Sequence, residues 1–259
     1  FQLGDRVWYA GELNRPGCNA RLQLVDHRLV SRAPQNLVAS AAAAMPLTSI
    51  TAWELLFERL EVQVWPGQAV LLVSGGSGGV GSMVIQLARV LTDATIIATA
   101  STQKGREWCL RLGAHHVVDH RAGDLAEQVK SLGIAAVSHV VSLSHTHLNF
   151  LAFTSLLLPF GKLVLIDDPE PLDVLKLKPK SLSLHYELMF SRSLFHTDDM
   201  GEQGKILARV AAMVESGQLV STEGTNLGAL TLSSLREAHG LIEAGEKGPG
   251  KIVLEKMVP

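Results

Sequence analysis

Cysteine is scarce. Only Cys18 and Cys109 occur in 259 residues, far apart and in no paired spacing. That excludes a cysteine-rich zinc site and fits a reducing cytoplasm. Long hydrophobic runs are missing too. The chain is 47% hydrophobic, yet nothing approaches the roughly 18 uninterrupted apolar residues of a membrane span. Nor is one sign of charge in excess: 23 Lys and Arg against 25 Asp and Glu leave a net −2. No basic field argues for nucleic acid or an anionic membrane. The start, "FQLGDRVWYAG", has no initiator Met, basic n-region or signal-like apolar core, and reads as a chain whose beginning lies elsewhere. These absences leave a soluble globular protein, large enough for one large domain or two smaller ones.

No internal repeat appears, although "ASAAAAM" at 39–45 is Ala-rich. Near the N-terminus, "DRVWYAG" and "ARLQLVD" flank the turn-prone "NRPGCN", which predicts β structure. Ile50, Trp53, Phe57 and Leu60 then recur at helical spacing. Next come short, β-branched apolar runs: "AVLLVS" (69–74), "TIIATA" (95–100), "HVV" (116–118), "VSHVVS" (137–142), "KLVLID" (162–167) and "LSLHYELM" (182–189). Helical patterns lie between several of them, such as Val80, Val84, Leu87 and Leu91 on one face. Strands apolar on both faces, alternating with helices, imply a parallel sheet covered on both sides. Past residue 190 the alternation stops. Ile206, Val210 and Val214 mark one helix, and Ser234 with Glu237 reads as a capping box for another that stops at Gly245. "GKIVLE" is expected to close the chain as a strand.

Gly76-Ser77-Gly78-Gly79-Val80-Gly81 fits G-x-G-x-x-G, directly after a predicted strand and opening a predicted helix. In that context the first glycine permits a tight turn, and the second lets backbone approach a pyrophosphate. The third permits close helix–strand packing, while the helix N-terminus offers N–H groups to the anion. The expected ligand is a dinucleotide. An NAD site ends its second strand with an acid for the ribose 2′-hydroxyl. Here "TIIATASTQKGRE" carries Ser101, Thr102, Lys104 and Arg106 before any acid. Hydroxyls and cations suit a 2′-phosphate, so NADP(H) is the expected cofactor. The bland alternative is a solvated helix start that happens to carry two cations.

In combination, "GDRV", "PLTSITAWELLF", "SGGSGGVGSMVIQLAR", "REWCLRLGA", "VVDH", "GKLVLIDDPEPLD" and "GKIVLE" resemble the medium-chain dehydrogenases/reductases along the whole chain. The similarity is to the quinone oxidoreductase-like branch labelled zinc-type alcohol dehydrogenase-like. The resemblance implies an α/β fold, a Rossmann doubly wound parallel sheet (44–191) inserted in a GroES-like β-barrel catalytic domain (1–43 and 192–259). The barrel would be incomplete here, so that the chain alone would bind NADPH and turn over poorly. The same resemblance puts Thr48 and Thr51 near the nicotinamide, Gly78, Gly79 and Val80 at the pyrophosphate, and Ser101, Lys104 and Arg106 at the 2′-phosphate. His120 stands where many relatives carry a Tyr beside the adenosine. Leu143, Ser144 and His145 match the loop at the nicotinamide ribose, and Phe190, Ser191 and Arg192 flank the nicotinamide. The strand Ser181–Phe190 resembles one that pairs with its twin in family dimers, so a homodimer is expected.

Zinc is poorly supported despite the branch label. A catalytic zinc needs about three protein ligands and a structural one needs four. His145 and His147 have strand-type spacing, and His115 and His116 are adjacent, but no Cys or Glu accompanies them suitably. No metal is expected. Asp167 and Asp168 read as turn and cap residues, and neither Tyr186 nor Glu187 as a catalytic acid. No catalytic residue is assigned. Without a metal, the expected chemistry is hydride transfer from NADPH to an activated alkene (an enone) or a quinone. A zinc-dependent alcohol dehydrogenase and a non-catalytic NADPH-binding sensor or structural protein are the alternatives. The substrate is not written in the sequence.

Overall fold

The computed structural model describes residues 1–17, 19–246 and 248–257, so Cys18 lies outside the described residues. The chain forms two compact units, Phe1–Thr51 with Leu188–Pro259, and Ala52–Glu187.

In the first unit, β1 (Val7–Trp8) pairs antiparallel with β2 (Ser31–Arg32). The expectation of more β structure fails at "ARLQLVD". That phrase forms no strand, and Leu22 and Leu24 are 91% and 82% exposed. Apolar alternation makes a strand only where a partner takes its backbone groups and a core its side chains. Helix α1 (Ala39–Ala43) follows, then α2 (Pro46–Trp53), which begins on a proline whose fixed φ suits the first helical position. Within α2, at Ala52, the chain passes into the second unit, and it continues past Trp53 without a break as a π-turn, Glu54–Arg59, in which Leu60 N–H donates to Leu55 O at 3.0 Å. Trp53 and Phe57 meet there edge to face, with centroids 4.9 Å apart.

The second unit is the α/β layer structure. Its strands are β3 (Val70–Ser74), β4 (Thr95–Thr99), β5 (His116–Val118), β6 (Val137–Ser142), β7 (Leu157–Leu165) and β8 (Ser183–Tyr186). The helices between them are α3 (Gly79–Leu91), α4 (Gln103–Arg111), α5 (Leu125–Ser131) and α6 (Thr146–Leu156). All six strands are parallel, in the order β5-β4-β3-β6-β7-β8. Strand order therefore reverses between β3 and β6, the place where such sheets open a crevice at their carboxyl ends.

One sheet face buries Leu72, Ile97, Val140 and Leu163 against Phe150 and Phe153 of α6 and Leu125 and Val129 of α5. Each such side chain contributes about 1.5–3 kcal/mol on full burial. On the other face α3 packs on β3 and β4. It is buried all round from Gly81 to Ala88, rather than on the single face its apolar spacing predicts. Its polar residues are buried because they are satisfied: Ser82 Oγ donates to Gly78 O at 2.6 Å and accepts Trp108 Nε1–H at 2.8 Å. At the far end of α6, Lys180 Nζ donates to the carbonyls of Thr154, Ser155 and Leu157 at 3.0, 2.6 and 2.8 Å. A cation thus closes carbonyls that the helix itself leaves open.

The strand expected over Ser181–Phe190 is shorter. Ser181 is left-handed, at φ 52°, and the ladder to β7 ends with Glu187 N–H donating to Leu165 O at 3.0 Å. The next residues turn, Ser191 N–H donating to Leu188 O at 2.9 Å, where the chain passes back into the first unit. There follow α7 (Ser191–Leu194), α8 (Glu202–Glu215), β9 (Glu223–Leu230), α9 (Leu232–Glu243) and β10 (Lys251–Met257), with β10 parallel to β9. Helix α8 buries Ile206, Val210 and Val214 as expected. The capping box of α9 differs from the expected Ser234–Glu237 pair: Thr231 is the N-cap and Ser234 its reciprocal partner, so the helix starts one turn earlier. It does stop at Gly245 (φ 71°). There the Gly245 N–H donates to Ile242 O and the Glu246 N–H to Leu241 O, the Schellman pattern. Among the described residues the first unit holds only two-stranded sheets and no closed barrel. No described helix is long and apolar enough to cross a membrane.

Candidate functional site

The glycine run leaves β3 at its carboxyl end. Gly75 sits at φ 84°, and its N–H donates to Thr99 Oγ1 at 3.0 Å, while Gly76 N–H donates to Thr99 O at 3.1 Å. The turn is thereby tied to the end of β4. Gly76 must lack a side chain because a Cβ there would fall 2.8 Å from Ala98 Cβ and 3.3 Å from Cys109 Sγ. The Gly81 constraint is harder still, with Gly75 O at 2.5 Å and Gly76 Cα at 2.7 Å from where a Cβ would stand. These are the tight turn and the close helix–strand approach that the motif needs.

The first bond of α3 runs from Ser82 N–H to the N-cap Gly78 carbonyl at 2.9 Å. No side chain caps this N-terminus. The amides of Gly79 and Val80 precede that bond, at the positive end of the helix dipole, where N–H groups without an intrahelical partner can take an anion. Ser77, partly exposed, lies beside α4: its Oγ would stand 3.2 Å from a Cβ on Gly105.

The cationic group sits at the start of α4. Thr102 is its N-cap, and Thr102 Oγ1 accepts the Gly105 N–H at 3.0 Å, leaving the hydroxyl proton as the atom it can offer outward. Lys104 is exposed and Ser101 and Arg106 are partly so. Arg106 already has a neighbour: its NH1 lies 3.5 Å from Asp119 Oδ2 at the end of β5. Linear spacing conceals this acid, which comes from the adjacent strand.

A cavity of about 630 Å³ opens at the carboxyl ends of β3, β5 and β6, lined by Gly75, His120, Asp124, Ser144, His145 and Leu148 among others. It brings together residues the sequence reading drew from separate loops. His120 Nδ1 is buried without a partner, and burial first, then the charge of Arg121, holds this imidazole below its usual pKa. A neutral ring with an unmet nitrogen suits a polar aromatic ligand such as an adenosine. Leu143 N–H donates to Ser74 O at 3.3 Å, continuing the sheet, and His145 is left-handed at φ 53° as it enters α6. Behind them Ser142 Oγ and Thr146 Oγ1 are 2.8 Å apart, and Asp167 Oδ2 accepts the Thr146 N–H at 2.9 Å. Asp167 is a cap, as its sequence context suggests. Asp124, unremarked in the sequence, caps α5 by accepting the Glu127 N–H at 3.0 Å.

The remaining candidates belong to the other unit. Thr48 and Thr51 are buried on α2, their hydroxyls donating to Met45 O at 3.0 Å and Leu47 O at 2.9 Å. Phe190 leads into α7, where Ser191 begins the helix and Arg192 holds Asp199 at 2.9 Å.

Among the described residues no group of three His, Cys, Asp or Glu stands where it could hold a metal ion. His115 is already occupied, its Nδ1 accepting the Ile96 N–H at 2.9 Å. Cys109 is buried, and that burial pushes its thiol up to about 12; the thiolate a metal needs is not available there.

Residues 79–201 match the family model of the zinc-binding dehydrogenases. A zinc-type alcohol dehydrogenase-like protein of Staphylococcus aureus (strain MSSA476) is 36% identical over 261 residues, covering 98% of this chain and 76% of its own. A solved structure from Rhizobium etli CFN 42, provisionally assigned as a zinc-dependent alcohol dehydrogenase, is 46% identical with a TM-score of 0.96, over 100% of this chain and 76% of its own. Escherichia coli quinone oxidoreductase, solved with NADPH, shares the fold at 21% identity with a TM-score of 0.81, over 98% of this chain and 76% of its own. A Rossmann sheet with a glycine-opened helix and a match over 98% of this chain at this identity lead to one assignment: the chain belongs to the medium-chain dehydrogenase/reductase superfamily, among its zinc-type alcohol dehydrogenase-like oxidoreductases.

Proposed function

We propose that this oxidoreductase uses NADPH and delivers hydride to an activated alkene or a quinone. The observation that carries the reading is the pairing of two features at one sheet edge: open amides at the start of α3, and Lys104 and Arg106 on α4 with no acid ending β4. The amides would take the pyrophosphate, and the cations the 2′-phosphate. His120 and the Ser144–His145 loop would take the adenosine side of the cavity. A bound nicotinamide supplies the hydride, and the chain's residues fix its position. The NADPH complex of the Escherichia coli relative supports the same cofactor class.

The test is a titration of the chain with NADPH and NADH. NADPH should bind about tenfold tighter, the order expected of a charge-assisted contact to one phosphate. Lys104→Ala with Arg106→Ala should remove that advantage and leave NADH nearly unchanged. Equal affinity of the unaltered chain for both cofactors overturns the reading. Turnover of a simple enone and a simple quinone, each against an alcohol, then assigns the substrate class.

We also propose a homodimer. Strand β8 is the outermost of its sheet, paired on one side only, and Tyr186 on it is 61% exposed. An unpaired edge of this kind invites a second copy. A monomer at micromolar concentration in light scattering overturns this.

A further inference from the structure

Asp119 follows β5 directly, and Val118 O accepts the Ala100 N–H at 3.0 Å, so the residue lies alongside Ser101 at the end of β4. An NAD site keeps its acid at the end of the second strand. This chain has none on β4 but brings one to the same place from the neighbouring strand. The backbone of Asp119 has little freedom. Asp119 N–H donates to Gln128 Oε1 at 3.0 Å, and Gln128 Nε2 donates back to Asp119 O at 2.8 Å. Its Oδ1 accepts the Arg121 N–H at 2.9 Å, which leaves Oδ2 facing Arg106 NH1 at 3.5 Å.

We propose that Asp119 is a specificity-determining residue that restrains the preference for a 2′-phosphate, an inference that rests on the NADPH reading above. Two effects of the carboxylate oppose each other. It orients the guanidinium, and it repels the phosphate that the guanidinium would hold. Orientation is the weaker effect. At 3.5 Å the contact is longer than a strong charge-assisted bond, and the Arg106 side chain is 38% exposed, so solvent screens it. Repulsion is the stronger. A phosphate dianion on Arg106 would sit within the screening length of about 10 Å at 0.1 M salt, close to a carboxylate whose Oδ1 is held by the Arg121 N–H. The acid therefore takes part of the charge that Arg106 would otherwise offer, and narrows the gap between NADPH and NADH.

The experiment uses adenosine 2′,5′-bisphosphate and adenosine 5′-monophosphate, which differ only in the 2′-phosphate, titrated calorimetrically into the full chain. Asp119→Asn removes the charge and keeps an acceptor for the Arg121 N–H. It should tighten bisphosphate binding about fivefold at low salt, and leave the monophosphate unchanged, with the gain shrinking as salt rises. Asp119→Glu, which keeps the charge, should behave as the unaltered chain. Asp119→Ser, also neutral, gives the same reading through a different side chain if the Asn variant does not fold. If the unaltered chain prefers the bisphosphate and neither neutral variant strengthens that preference, Asp119 does not have this role and the NADPH reading stands. If the unaltered chain binds both nucleotides equally, the NADPH reading fails and this inference fails with it.

Discussion

Asp167, just past β7, accepts the backbone N–H of Thr146 at 2.9 Å, so the first turn of α6 is closed by a carboxylate from the next strand connection. Helix caps are usually local in sequence. This one ties the loop Leu143–His145 to the sheet through a residue twenty-one positions away. Asp167→Ala should lower stability by about 1–2 kcal/mol, within the range of a lost N-cap, and Asp167→Asn by less. Urea unfolding followed by circular dichroism measures both. An unchanged midpoint for Asp167→Ala would show that the cap is not needed.

Two glycines in helices should respond to alanine in opposite ways. At Gly81 a Cβ meets backbone atoms at 2.5 and 2.7 Å, which cannot swing aside. Gly81→Ala should cost about 1–3 kcal/mol or more and weaken nucleotide binding, because relief requires moving the turn at Gly75 and Gly76. At Gly240, inside α9, a Cβ meets nothing within 4 Å. Gly240→Ala should stabilise by about 0.5–1 kcal/mol through helix propensity alone. Thermal unfolding of the two variants side by side reads the sign directly.

His139 on β6 is fully buried, its Nδ1 2.8 Å from Ser138 Oγ and its ring edge-on to Trp65. Burial first, then the charge of Lys162, moves its pKa from 6.5 to about 4, against an opposing hydrogen bond at the Leu60 backbone. Between those values the unfolded chain binds a proton that the folded chain does not, so stability rises with pH across that window. The contribution is complete above about pH 6.5 and is lost as pH falls towards 4, and amounts to about 3 kcal/mol at most. His139→Gln should flatten the pH dependence of the unfolding free energy between pH 4 and 6.5. A slope equal to that of the unaltered chain would assign the effect to other groups.

What the sequence made legible follows the physics of burial. Strands β5 and β6 coincide with the runs "HVV" and "VSHVVS", and β6, buried at every residue, shows why: a strand covered on both faces has no exposed side to alternate with. The glycine motif was legible because a tight turn and a close helix approach leave few other residues possible. "ARLQLVD" misled because a strand needs a partner, which no local pattern reveals. The α9 cap lies a turn before the expected one because Ser234 reads as a cap in its own right, whereas its hydroxyl answers Thr231. Arg106 and Asp119 are thirteen residues apart and meet only because β4 and β5 are neighbours. Thr102 illustrates a further limit: its residue type suits a phosphate, but the fold has already engaged one face of its oxygen.

The π-turn after Ala52 ends at Arg59, whose Nε lies 2.7 Å from an oxygen of the fully buried Glu187 carboxylate. Those two residues stand near the places where the chain enters and leaves the α/β unit, at Ala52 and Glu187. Within the α/β unit itself the pair therefore works as a clasp. It joins the first helical segment of the unit to the end of its last strand connection, 128 positions away in sequence, so that its opening and closing stretches are held as one.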